Sequence, residues 1–210
     1  MTELIGVVAV AVVAWFAAGT IWNVRLGREV LRWMQDGGLP VIGQRTTVRW
    51  LGSTVVEMVI RDAKPPFSTA AVVVFLEPRD LPWWPVSRLR GRRDTLIVRG
   101  MLRRSPAVEF EALDPKSWSA RDARSRIPAE WRLGHSEPAS GVAVHYADPA
   151  ALSRAEAMLA RAQRAGLAIR RLSLRRTEPN LQIHVPLPDR GQPAGEFFET
   201  VRALAELALD

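Results

Sequence analysis

His145 and His184 are the residues best suited to acid–base or metal chemistry. Each alternates with apolar neighbours in a stretch that reads as a strand, 142–147 and 181–187, so both are expected on the more polar face of one sheet. In a split βαβ unit those two strands are neighbours, and paired imidazoles can begin a ligand site. No third ligand lies at useful spacing, so the pair is a possible ligand site without an assigned metal. His135 falls in an irregular stretch and carries no signal. The chain has no cysteine, which excludes disulfides, thiolate nucleophiles and cysteine-ligated zinc or iron–sulfur centres. There is no phosphate-binding G-x-x-x-x-G-K loop, no G-x-G-x-x-G, no G-x-S-x-G and no H-E-x-x-H. The carboxylates are scattered, with no pair visible from spacing. No catalytic residue and no cofactor are assigned.

A second constellation carries binding chemistry. Trp83 and Trp84 stand between Pro82 and Pro85, and Arg88, Arg90, Arg92 and Arg93 follow at once. Prolines on both sides exclude a regular strand interior, since each removes a ladder donor. Indoles favour the membrane interface and guanidiniums favour phosphates, so one reading is a loop dipping into the inner leaflet. Another is a docking patch for a membrane partner, because Trp and Arg dominate binding hot spots. The plain alternative is a loop folded back on its own core with solvated arginines. The net charge is +7 and Lys64 and Lys116 are the only lysines, a bias that a GC-rich genome also produces. A basic run can bind nucleic acid, but no recognition motif or stacking platform accompanies it, so nucleic acid is set aside.

These residues are positioned by an anchor. Leu4 to Trp22 runs without a charge and spans roughly 28 Å as a helix, close to the thickness of a bilayer core. The N-terminus lacks the basic region and cleavage site of a signal peptide, so a retained single-pass span is expected. Glu3 precedes it and Arg25, Arg28 and Arg32 follow, which places the N-terminus outside and the remainder in the cytoplasm. Trp22 then lies at the inner interface. The three arginines fall on one face of a helix that continues to Gly37-Gly38, where they suit anionic headgroups or simply set topology. The expected localisation is the inner (plasma) membrane.

The expected class is α+β, in four segments. Residues 1–38 are the transmembrane anchor and a juxtamembrane helix. Residues 39–113 form an antiparallel β-meander: strands at 45–51, 54–61 and 68–77, then a hairpin of 94–103 with 107–113 turning at Arg104-Ser105-Pro106. Residues 114–141 have no clear period and read as a linker or wrapping arm, whose Trp118 and Trp131 must dock on something. Residues 142–210 read as β-α-β-β-α, most of a ferredoxin-like unit, with Asp148 capping a helix that begins at Pro149 and ends at Gly166. The fourth strand is missing, so that edge stays open or is filled from the first half.

Trp50-Leu51-Gly52, Leu76-Glu77-Pro78-Arg79-Asp80 and Leu89-Arg90-Gly91-Arg92-Arg93-Asp94 resemble uncharacterised bacterial single-pass membrane-anchored proteins over about the first 120 residues. The resemblance implies no activity and no site. The expected role is a non-enzymatic scaffold or accessory subunit, with the lipid bilayer and other membrane proteins as partners. A regulatory or ligand-sensing module built on the C-terminal unit stays open. The domain without residues 1–38 is expected to bind anionic vesicles.

Overall fold

The helix that begins in the apolar run continues well past bilayer length. In the computed structural model, which describes residues 1–135 and 141–210, helix α1 (Thr2–Trp33) is unbroken over 32 residues. It is long and apolar enough to cross a membrane. Every residue as far as Ala18 is exposed. From Gly19 onward one side of the helix is buried: Gly19, Asn23, Gly27, Val30 and Leu31, then Met34 and Gly38 in the π-helical turn Met34–Gly38. Steps of three and four keep this row on one face. One face of residues 19–38 is thus packed against the rest of the fold. A short helix α2 (Leu39–Ile42) leads into the sheet.

The strands form one nine-stranded sheet in which every neighbouring pair is antiparallel. The meander expected from the sequence is its first part: β1 (Thr46–Trp50), β2 (Val55–Ile60), β3 (Phe67–Phe75) and β4 (Thr95–Leu102) lie side by side in chain order. The remaining strands are β5 (Phe110–Leu113), β6 (Arg132–His135), β7 (Ala143–Tyr146), β8 (Arg171–Leu174) and β9 (Leu181–Pro186). They continue the sheet in the order β9-β8-β5-β7-β6.

Two expectations are corrected by that order. The hairpin of 94–103 with 107–113 does not form, because β8 and β9 stand between β4 and β5. The β8–β9 hairpin offers Leu172, Leu174, Leu181, Ile183 and Val185 to the core, and β4 pairs with its β9 side. The ferredoxin-like unit is not confirmed either. Its succession of elements is present, but β5 of the first half sits between β7 and β8, and β9 lies on the outer side of β8. Both edges of β8 are thereby paired, which a free-standing unit would not achieve.

Helices cover one face. α5 (Pro149–Arg164) starts as expected: the Asp148 carboxylate accepts the Ala151 N–H at 2.9 Å, and the chain leaves the helix through Gly166 at φ +71°. α6 (Ala194–Leu207) buries Phe197 and Phe198, and Trp33 of α1 packs on both rings. The opposite face carries the wrapping arm. Its helix α4 (Trp118–Arg124) buries Ala120 and Ala123 with Leu113. The arm's two tryptophans both dock, Trp118 edge-on against Phe75 and Trp131 over the Arg175 guanidinium at 4.1 Å. Residues 136–140 of the expected arm lie outside the described residues.

Candidate functional site

The Asn23 side chain comes one turn after Gly19 on the buried face of α1 and is fully buried. At this point α1 meets the segment Glu77–Asp80, which follows β3. An added Cβ at Gly19 would fall 2.3 Å from the Arg79 carbonyl oxygen and 2.4 Å from Asp80 Cα, so only glycine permits this approach. One helical step further, a Cβ at Gly27 would meet the Trp50 ring at 2.4 Å.

Most of the polar groups buried by the approach bond to one another, although Arg79 Nε and Asp80 Oδ1 are buried without a partner among the described residues. Asn23 Nδ2 donates to the Glu77 carbonyl at 3.1 Å, and its Oδ1 accepts from Arg79 at 3.1 Å. Arg79 also grips Asp94 through both terminal nitrogens, at 3.0 and 2.6 Å. Asp94 accepts the Glu77 N–H at 2.7 Å. The Glu77 carboxylate accepts from Trp84 Nε1 at 2.5 Å and from Arg88 at 3.0 Å. Above these, the Arg79 guanidinium lies over Trp22 at 5.7 Å and Trp84 at 5.9 Å. Ser53 donates to Asp80 at 2.6 Å. Glu77, Arg79 and Asp80 are all buried, so removing one member of the Arg79–Asp94 pair would strand a charge, at a cost of about 3–5 kcal/mol.

The sequence-expected interface residues fall around this junction. Arg25, Arg28 and Arg32 are exposed, on the opposite side of α1 from the buried row, and Trp22 is exposed beneath Arg79. The Trp-Trp segment is not a loop: Trp83 caps a helix α3 (Trp84–Leu89) with Pro85 in its first turn. Gly91, at φ +86°, ends it and turns the chain toward β4. Trp84 is half-buried on Glu77, whereas Trp83, Val86 and Leu89 are exposed by 59%, 49% and 88% and lie three residues apart on one face of the turn. Arg88 is held by Glu77, and Arg93 donates to the carbonyls of Arg88 and Arg92. Arg90 and Arg92 are exposed, with no side-chain partner among the described residues.

Sequence reading missed Asn23, Glu77, Arg79 and Asp94 as site residues. The available signal was a cluster of charges directly behind the apolar run Val72–Leu76, and an Asn directly behind the anchor. Three segments meet here: Trp50 touches α1 at Gly27, Glu77–Asp80 touches it at Gly19 and Asn23, and Asp94 joins through Arg79.

The histidines face the same side of the sheet, but β8 and β5 separate their strands. They are not on neighbouring strands, and three strand spacings put them at least about 14 Å apart, too far for one ion. His145 is half-buried, and burial, then Arg124, lower its pKa, with Glu111 opposing. His184 is buried with both ring nitrogens unpartnered, and burial, reinforced by Arg171 and Arg99, lowers its pKa to about 3. Between them lies a closed polar hub. Glu111, fully buried on β5, accepts from Arg171 at 2.5 Å, Ser173 at 2.7 Å and Arg175 at 3.1 Å. No group of three or more potential metal ligands occurs among the described residues.

No protein-family model matches the chain, and neither does any curated protein.

Proposed function

We propose that the protein is a non-enzymatic, membrane-tethered scaffold or accessory subunit, whose cytoplasmic domain is held in a fixed attitude on the inner leaflet. The observation that carries this reading is the continuity of α1. Its exposed apolar stretch passes without a break into a buried row that begins at Gly19. Removal as a signal sequence would cut a helix whose next turn is already packed, so a retained anchor is favoured. The junction of Asn23, Glu77, Arg79 and Asp94 then prevents the domain from swivelling about the span. The three arginines after the span favour an outside N-terminus.

The same attitude gives α3 its role. It is joined to α1 through Trp84, Glu77 and Asn23, so Trp83, Val86 and Leu89 sit beside the point where the span leaves the domain. They supply apolar area at the interface, and Arg90 and Arg92 meet headgroups. A sensing role for the histidine pair has no comparable support, given their separation.

The absence of native cysteine makes a direct test simple. A fluorophore on Leu89→Cys, in full-length protein reconstituted with brominated-chain lipids, should be strongly quenched. The same fluorophore on Thr177→Cys, in the turn before β9 at the other end of the strands, should not. Equal, weak quenching at both positions would remove the interfacial role of α3.

A further inference from the structure

At the end of the sheet that carries the α1 junction, the turn after α3 and the start of the arm face each other across a cleft of about 240 Å³. Gly91, Arg93 and Thr95 of the first segment and Lys116, Ser117 and Trp118 of the second line it, with Arg170 and Pro186 also in the wall. Three cations therefore border a space smaller than the roughly 300–1,000 Å³ of pockets that hold drug-sized ligands.

The cations are placed by their neighbours. Asp114 organises the arm side: its Oδ1 accepts the Lys116 N–H at 2.9 Å, and its Oδ2 pairs with Arg170. Its carbonyl accepts from both the Ser117 N–H and hydroxyl. On the other side, Arg93 is steadied by its bonds to the carbonyls of Arg88 and Arg92. The Thr95 hydroxyl donates to the Arg93 carbonyl at 3.0 Å. The Lys116 ammonium has no carboxylate and no other side-chain partner among the described residues. Among the described side chains, Asp114 offsets one of the three positive charges, which leaves an excess of two.

We propose that this cleft binds a phosphate group, either free phosphate or the monoester headgroup of an anionic lipid. Two uncompensated positive charges match a phosphate dianion. A guanidinium fork and an ammonium from two different segments of the lining can contact different oxygens of a tetrahedral anion. The volume admits a phosphate and excludes a bulky organic ligand. Aromatic Trp118, packed on Phe75, closes the wall and limits water on that side. The site stands apart from the membrane reading; only the lipid source rests on it.

Full-length protein in a neutral, phosphate-free detergent, titrated calorimetrically with inorganic phosphate, should bind with Kd at or below about 1 mM. Chloride at equal ionic strength should give no such heat. Lys116→Ala should weaken binding about tenfold and Lys116→Glu should abolish it, with unfolding midpoints unchanged because the side chain holds nothing else. Absence of phosphate binding in the unaltered protein, or equal affinity in Lys116→Glu, would overturn the assignment. A second arm identifies the source. Loss of phosphate binding in nanodiscs containing phosphatidic acid, with retention in phosphatidylcholine nanodiscs, assigns the cleft to a lipid headgroup. Retention in both assigns it to a soluble phosphate.

Discussion

His184 is a neutral imidazole enclosed by protein, and its effect on stability has a definite sign. The folded state keeps it unprotonated down to about pH 3, whereas in the unfolded chain it takes up a proton near pH 6.5. Between those values the unfolded state binds more protons, so stability falls as pH falls. The contribution is fully present above about pH 6.5 and is lost progressively toward pH 3. Replacing His184 by Leu removes it. The fall in denaturant midpoint between pH 7.5 and pH 4.5 should be visibly smaller in His184→Leu than in the unaltered protein, because the carboxylates titrate equally in both. Parallel falls in the two proteins would show that the imidazole protonates in the folded state. Glu111 shows the opposite treatment of a buried polar side chain, since three donors, Arg171, Ser173 and Arg175, surround its carboxylate.

The α1 seat depends on how closely a helix can approach a loop. An alanine at Gly19 would place its Cβ against backbone atoms of Arg79 and Asp80, which cannot rotate away. At Gly27 the obstacle is the far edge of the Trp50 ring, which can tilt. Gly6 meets nothing within 4 Å. Chemical unfolding in detergent should rank the alanine variants accordingly. Gly19→Ala should cost about 1–3 kcal/mol, Gly27→Ala less, and Gly6→Ala nothing measurable or a slight gain. Little of that seat was legible beforehand. Periodicity and capping residues located most strands, the Asp148-capped helix and the long apolar N-terminal helix, because those signals are local. Gly19 fits an apolar span as well as a packing face, and nothing local tells the two apart; Gly27 stands between Arg25 and Arg28 with no local sign of the Trp50 ring it meets. The pairing of β8 with β5 and β9 depends on partners far away in the chain, so the ferredoxin-like order and the neighbouring histidines did not follow from it. For α3, Pro85 at one end and Gly91 at the other were usable signals, but the paired indoles suggested a loop.

The second half of α1 shares its core with the sheet and the other helices. Val30, Leu31 and Met34 belong to the main core, and a Cβ at Gly38 would overlap the Phe198 ring. The domain lacking residues 1–38, expected from sequence to bind vesicles, is thus missing part of its own interior. A chain starting at residue 39 should aggregate or show a molten spectrum, whereas one starting at residue 19 should unfold cooperatively; circular dichroism with size-exclusion chromatography separates the two. Orientation has its own check in the full-length chain. Thr177→Cys should resist a membrane-impermeant maleimide in intact cells and react after permeabilisation. Labelling from outside would reverse the proposed topology.

The exposed stretch of α1 is also short. Thr2 to Ala18 rises only about 26 Å, against roughly 30 Å of hydrocarbon in a typical bilayer. A span shorter than its bilayer thins the membrane locally or draws its flanking parts inward. On the proposed reading the flanking part is held by the α1 junction, so Trp22 and α3 would be pulled down together, and the domain would ride deeper where the acyl chains are longer. Quenching at Leu89→Cys should rise from fourteen-carbon to twenty-carbon brominated lipids, while the label at Thr177→Cys stays dark to the change.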